Sequence, residues 1–283
     1  MGVGVYPDLS ISWKAGRKVA DRFGLMVEAP TVLDADVVDP LADLVLTAHA
    51  PYSDAEGRFS IADVNDEMRE AAIGKIAAYI EDAAGRFPKL KKINMHCSPK
   101  YWASEERPLH GRYERLIDAV RHLANVADKF KLELMLENNR AYWEGVPDNL
   151  LVDQVDRSGQ NVYFGVEPGE WRQIQKDVSR SNVFLCLDPS HACTYAQTFA
   201  DVGEREAVMM AYLEADDVLQ HVHWNGNDLV SNIGRQDSHL CIGTDTLPVE
   251  FHRQIKGWQA TLLLEHFYSV DELETELAFI ERL

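Results

Sequence analysis

The chain has 283 residues, of which 46% are apolar and 26% charged, and it carries a formal net charge of −18. That length supports a large core, either one α/β barrel or two domains, while the acidic balance repels extended polyanions and counts against a broad nucleic-acid footprint. No stretch reaches the roughly 18 consecutive apolar residues of a membrane span, and the N-terminus MGVGVYPDLS has neither a basic region nor an apolar leader, so the reading is a soluble, cytoplasmic protein.

In chain order, eight short β-rich runs alternate with helical patterns: GVGVY (2–6), GLMVEAP (24–30), DLVLTAH (43–49), KKINMHC (91–97), LELMLEN (132–138), NVFLCLD (182–188), LQHVHWN (219–225) and ATLLLEH (260–266). Between the third and fourth runs, Asn65 caps a helical pattern in which Ile73, Ile76 and Ile80 recur at spacings of three and four, closing near Gly85 and Pro88. After the last run, Ser269 opens a helix carrying Val270, Leu273, Leu277 and Ile280. No linker, repeat or low-complexity block interrupts the series. Eight βα units predict a single (β/α)8 TIM barrel domain over residues 1–283, with a doubly wound sheet as the weaker alternative. Cys97, Cys186, Cys193 and Cys241 lie in or beside apolar runs without CxxC spacing and read as reduced core thiols.

Strand parity then locates a site. Successive side chains in a strand face opposite sides, so Leu132, Leu134 and Leu136 share one face and Glu133, Met135 and Glu137 the other. Ile93, Met95 and Cys97 stand likewise against Asn94 and His96, and Leu262 and Leu264 against Leu263 and Glu265. The wholly apolar face packs on the helices, which leaves the acids and histidines inside the barrel near the carboxyl ends of the strands, where barrels carry their chemistry. Collected this way, the inward groups are His49, His96, Glu137, Asp188, His191, His223, Asp237, His239 and Glu265.

These O and N donors, with no thiolate among them, suit divalent zinc, or manganese as the alternative. So many carboxylates brought close together do not all stay ionised without cations between them, so two or three ions are expected. Simpler readings exist for each residue taken alone: a hydrogen-bonded core histidine for His49 or His96, a helix N-cap for Asp188, salt bridges from Glu137 and Glu265 to Arg140 or Lys256, a polar loop for Asp237–His239. The coincidence of metal-competent residues at five strand ends is what favours a metal centre. His221 lies one layer deeper and supports rather than ligates; His266, His110, His122 and His252 read as structural. Tyr52, Arg140 and Trp224 follow inward strand ends and are candidate substrate contacts, with Trp102 and Trp143 weaker ones. No phosphate-binding glycine loop or GxSxG elbow occurs.

At these residues the chain resembles the xylose-isomerase-like TIM barrel superfamily, which contains endonuclease IV and many sugar isomerases and epimerases. The resemblance runs through the whole chain in strand order. Glu137, Asp188, His223 and Glu265 resemble the single-metal set of the epimerase branch, and DPSH (188–191) its Asp-x-x-His. His49 in HAPY, His96, His191, Asp237 and His239 extend the likeness to the three-zinc pattern of endonuclease IV. By that resemblance Glu137 bridges two ions, His49 and His96 hold the first, Asp188, His223 and Glu265 the second, and His191, Asp237 and His239 the third. The chain departs from the endonuclease at GTD (243–245) and at VEAPTV (27–32), where the DNA-penetrating loop would begin.

Two enzymatic readings follow. In the first, clustered ions activate a hydroxide against a phosphodiester or related small ester. In the second, one ion chelates a small sugar or cyclitol while Glu137 and Glu265 act as acid and base beside its carbonyl. His49, His96, Asp237 and His239 favour the hydrolase, while the acidic balance and the missing DNA-penetrating loop favour a small substrate; the hydrolase is the expectation. The isomerase or epimerase is the alternative, and a purely structural metal protein is a third and weaker reading.

Overall fold

The structure is a computed structural model that describes residues 9–104, 107–150, 154–155, 161–215 and 217–283. Eight parallel strands close a barrel: β1 Leu9–Ser12, β2 Met26–Ala29, β3 Val45–His49, β4 Lys92–His96, β5 Glu133–Glu137, β6 Val183–Leu187, β7 Leu219–His223 and β8 Thr261–Leu264, each paired with its sequence neighbours and β1 with β8. Seven of these fall inside the runs read from the sequence. The first does not: the run at 2–6 lies outside the described residues, and the strand that closes the barrel is LSIS at 9–12. Leu9 and Ile11 are buried against the helices, and Ser10 turns inward to donate to the Leu262 carbonyl. Alternation over four residues with serines as the polar partners is a weak pattern, and this is why the glycine- and valine-rich run before Pro7 reads as the better strand.

Around the barrel stand α1 Gly16–Phe23, α2 Ala35–Val38, α3 Asp66–Arg86, α4 Tyr113–Asp128, α5 Pro168–Val178, α6 Pro189–Ala196, α7 Val202–Tyr212, α8 Val249–Gly257 and α9 Val270–Arg282. Asn65 caps α3 by accepting from the Met68 amide at 3.1 Å, and Ser269 caps α9 through the Glu272 amide at 3.2 Å. The main core lies between sheet and helices, where Ile93, Leu134, Leu136, Leu185 and Leu264 meet Ile76, Ile80, Val120, Leu123, Phe251 and Ile280. Burial of each large side chain there contributes roughly 1.5–3 kcal/mol.

The barrel interior is polar by contrast. Ser10, Glu28, Thr47, Asn94, His221 and Thr261 are all buried within it. Parallel register brings His49 beside Asn94, His96 beside Glu137, and Glu137 beside Cys186, so acids and histidines from successive strands share one level. Two small antiparallel additions cover part of the mouth: a hairpin of Ser53–Asp54 with Gly57–Arg58, and a three-stranded sheet of Pro99–Trp102, Leu109–His110 and Val162–Tyr163. Among the described residues no helix is long and apolar enough to cross a membrane, and all four cysteines are free and buried.

Candidate metal centre

Glu137, the last residue of β5, is the hub. Its Oε2 lies 3.3 Å from His49 Nε2 and 3.5 Å from His96 Nε2, and its Oε1 lies 3.3 Å from His191 Nδ1 and 3.4 Å from His223 Nδ1. Three overlapping donor groups result: His49, His96 and Glu137; Glu137, Asp188 and His223; and Asp188, His191, Asp237 and His239, the ligand atoms within each group lying within 4.8 Å of one another. Glu265, immediately after β8, joins them at 3.4 Å from His223 Nδ1 and 3.2 Å from His239 Nδ1. All nine residues read from the sequence are therefore brought together. The grouping differs from the sequence reading in two respects: Asp188 stands in two groups, as Glu137 does, and Glu265 lies between His223 and His239 outside the compact set of Glu137, Asp188 and His223.

The neighbours of these side chains decide which nitrogen each histidine presents. His49 Nδ1 bonds the Ala50 carbonyl at 2.9 Å, His96 Nδ1 the Asn139 side-chain oxygen at 3.0 Å, and His191 Nδ1 the Asn138 carbonyl at 2.8 Å. Their Nε2 atoms are thereby left as acceptors facing carboxylates, the arrangement that fixes ligand tautomers around a metal. His223 is reversed, with Nε2 held by Glu28 Oε1 at 3.3 Å and Nδ1 turned to the hub. Asp188 caps α6 through the His191 amide at 3.0 Å, so the N-cap and donor-group placements coexist in one carboxylate. Asn225 holds both its oxygens, and Asn94 donates to Glu137.

A metal fits this donor set on a specific observation. His223 Nδ1, His239 Nε2 and Asp237 Oδ1 are buried without a hydrogen-bond partner, although the last two lie 2.8 Å apart. Buried polar atoms are seldom left orphaned, and open donor atoms in two adjoining donor groups suit cations. His239 also takes a left-handed backbone, φ 44°, a strain of about 1 kcal/mol or more that clusters at functional sites; Tyr268 Oη donates to its carbonyl at 2.7 Å. In the following turn Gly243 sits at φ 90°, where a Cβ would lie 2.6 Å from the Phe279 ring.

Without cations the charges are in tension. Burial alone raises the Glu137 carboxyl, but His96 and His223 outweigh it and hold the group well below the usual carboxylate range. Asp188 goes the other way: burial, opposed by His191 and His239 and helped by Glu265, lifts it to about 7. Burial depresses His96 to about 4, whereas for His239 the carboxylates of Glu265, Asp188 and Asp237 overcome burial and raise it to about 10. Divalent ions relieve the same tension by replacing the protons.

Above the cluster lies a cavity of about 480 Å³ whose wall includes His49, His96, His191, Asp237, His239 and Glu265, together with Tyr52 and Arg140. The two carboxylates expected to act as acid and base are separated by depth, since Glu265 lines the cavity and Glu137, 1% exposed, lies beneath it. Trp224 is a correction. It is buried at 1% exposure with its indole N–H donating to His252 Nδ1 at 3.1 Å, because the residue after inward His223 points outward toward α8. Trp143 is likewise buried, donating to the Thr194 carbonyl. His266 bonds Glu276 of α9 and His252 lies 3.1 Å from Asp245, both outside the centre.

Sequence reasoning missed Glu28, Asn94 and Arg58. Glu28, between Val27 and Ala29, was open to the same parity argument; Asn94 was placed inward but not given a role; Arg58, in a hairpin, left no periodic signal.

The family model described as xylose isomerase-like TIM barrel matches residues 39–283. No curated protein matches the chain. Among solved structures, a D-tagatose 3-epimerase-like protein has a TM-score of 0.64 at 17% identity, covering 97% of this chain and 98% of its own. A Thermus thermophilus protein, TTHB071, in a structure soaked with ZnCl2, has a TM-score of 0.64 at 16% identity, covering 97% of each chain. D-psicose 3-epimerase in the presence of D-fructose has a TM-score of 0.63 at 14% identity, covering 97% of this chain and 96% of its own.

Proposed function

The chain belongs to the xylose isomerase-like TIM barrel family, and on that basis we propose that it is a divalent-metal-dependent isomerase or epimerase that moves a proton beside the carbonyl of a small sugar or related polyhydroxy compound. The observation that carries this reading is the convergence of Glu137, Asp188 and His223, with Glu265 at 3.4 Å from His223, at the floor of a cavity of small-molecule size. The epimerases among its structural neighbours support the same side, and the zinc-soaked neighbour supports zinc as the ion.

When bound, the ion supplies Lewis-acid polarisation of adjacent substrate oxygens. The residues of the chain do the rest. Glu265 stands at the cavity wall, 3.4 Å from His223 Nδ1 and 3.2 Å from His239 Nδ1, so it is the group placed to accept a proton from a substrate carbon and to return it. Asn225 steadies its Oε2 at 3.4 Å. Glu137, beneath the wall and between four imidazoles, acts as the shared anchor of the cluster rather than as the proton carrier.

Hydrolysis of a phosphodiester or small ester is the second reading, and one observation favours it: the flanking groups, His49 with His96 and His191 with Asp237 and His239, exceed what a one-ion isomerase needs. The test is to assay zinc- and manganese-loaded protein for ketose and aldose interconversion and for cleavage of an aryl phosphodiester, with His239→Ala alongside. Interconversion that largely survives His239→Ala is expected. Phosphodiester cleavage without interconversion, falling on the order of 10³-fold in His239→Ala, overturns the isomerase in favour of the hydrolase.

A further inference from the structure

The floor of the cavity is acidic, but its rim is not. Arg58, on the hairpin after β3, lines the cavity beside Tyr52, whose ring lies 4.9 Å from the His96 ring. Its guanidinium sits 4.4 Å from the Trp102 ring, 5.2 Å from Tyr52, and 5.9 Å from both Tyr142 and Tyr163. One N–H donates to Tyr163 Oη at 3.0 Å. Among the described residues no carboxylate lies within ion-pair distance of it, although most other arginines of this acidic chain have one.

An arginine carries five N–H donors, and here the aromatic faces hold its plane while leaving the edge donors to be filled. That is a preorganised seat for a planar or tetrahedral oxyanion, which a guanidinium binds with two parallel hydrogen bonds. Two further cations line the same cavity: Lys14, which has no carboxylate partner among the described residues, and Arg140, which pairs with Glu144 at 3.2 Å and lies 3.8 Å from Asp237. Bound divalent charge offsets part of the repulsion from the floor carboxylates Glu28, Glu137, Asp188, Asp237 and Glu265, and the three rim cations Arg58, Lys14 and Arg140 add to that offset.

We propose that the substrate is an anionic sugar, a polyhydroxy carbonyl compound whose remote end carries a carboxylate or phosphate seated on Arg58 while its carbonyl end reaches the metal centre. This assignment rests on the isomerase or epimerase reading, but its test is kept separate by measuring binding apart from turnover. Calorimetric titration of the metal-loaded protein with D-glucose, D-glucuronate and D-glucose 6-phosphate compares one skeleton bearing no anion, a carboxylate or a phosphate at the far carbon.

At least one anionic form is expected to bind roughly tenfold or more tighter than glucose. Whichever anion binds tighter identifies the group. Arg58→Met, which keeps the bulk among the aromatic rings, removes that preference without changing metal content, and Arg58→Lys restores part of it. Anions binding no tighter than glucose, including no binding of any of the three, overturns the proposal in the unaltered protein alone. A preference that persists in Arg58→Met overturns it as well, because the anion then sits on the metal ions. Anion binding that depends on Arg58 with no sugar interconversion leaves the oxyanion seat standing and removes the isomerase reading instead.

Discussion

His221 and His223 lie on one strand, face the same barrel interior and are equally buried, yet they end in opposite states. His221 is satisfied on both sides: Nδ1 meets the Thr261 hydroxyl at 2.7 Å and carbonyl at 3.0 Å, and Nε2 meets Glu28 Oε2 at 3.2 Å. His223, one level nearer the mouth, has Nε2 held by the same Glu28 and Nδ1 left without a partner. Cys186, His221 and His223 also lie close enough to form a donor group, but burial raises the Cys186 thiol to about 12 and so keeps it protonated. The lower layer is thus a closed hydrogen-bonded network around His221, and the upper one includes buried donor atoms without a hydrogen-bond partner. Acids and histidines in a barrel therefore do not by themselves make a metal centre. What distinguishes one is donors fixed from behind and left open in front.

The largest effect should come from breaking the upper layer at its hub. Glu137→Gln keeps the volume but removes the charge that two groups share, so activity should fall on the order of 10³-fold and metal content should drop, with the barrel intact by circular dichroism. Normal turnover with full metal content would remove Glu137 from the hub.

Next in size is the residue that ties the layers together. Glu28→Gln weakens the hold on His223 Nε2 and should lower metal affinity roughly 10–100-fold, the usual cost of losing such a supporting carboxylate. Competition with a chelator measures it, and unchanged affinity would mean that His223 does not depend on Glu28.

His221→Asn addresses the lower layer alone. It should cost about 1–3 kcal/mol of stability in denaturant unfolding, because Glu28 and Thr261 lose a buried partner, while metal content stays as it was. Loss of metal together with stability would erase the distinction between the layers.

The smallest effect is in protons. In metal-free protein Asp188 titrates near 7 and His239 near 10. His239 therefore gives up a proton on metal binding at any neutral pH, whereas Asp188 has one to give only below its value. Proton release on zinc binding, read from the buffer dependence of calorimetric heats, should rise by about one as the pH falls from about 8 to about 6, and affinity should weaken in step. A release independent of pH would place Asp188 outside the centre.

Local periodicity was enough for much of the barrel and its site. Alternation in LELMLEN, INMH and ATLLLE set which side chains turn inward, and helical spacing with caps at Asn65 and Ser269 set the alternation of strand and helix. Both are properties of backbone geometry within a few residues, so seven strands and the inward residues that end them were legible in the chain alone, whereas His191 on α6 and Asp237 and His239 in the loop after β7 lie outside that alternation. Register, closure and loops were settled only in three dimensions. Pairing of β4 with β5 put His96 beside Glu137, and closure of LSIS on β8 made it the first strand. Two antiparallel additions far apart in the chain boxed Arg58 among aromatic rings. Such contacts join residues tens to hundreds of positions apart, and a one-dimensional pattern carries no record of which donor is left without a partner.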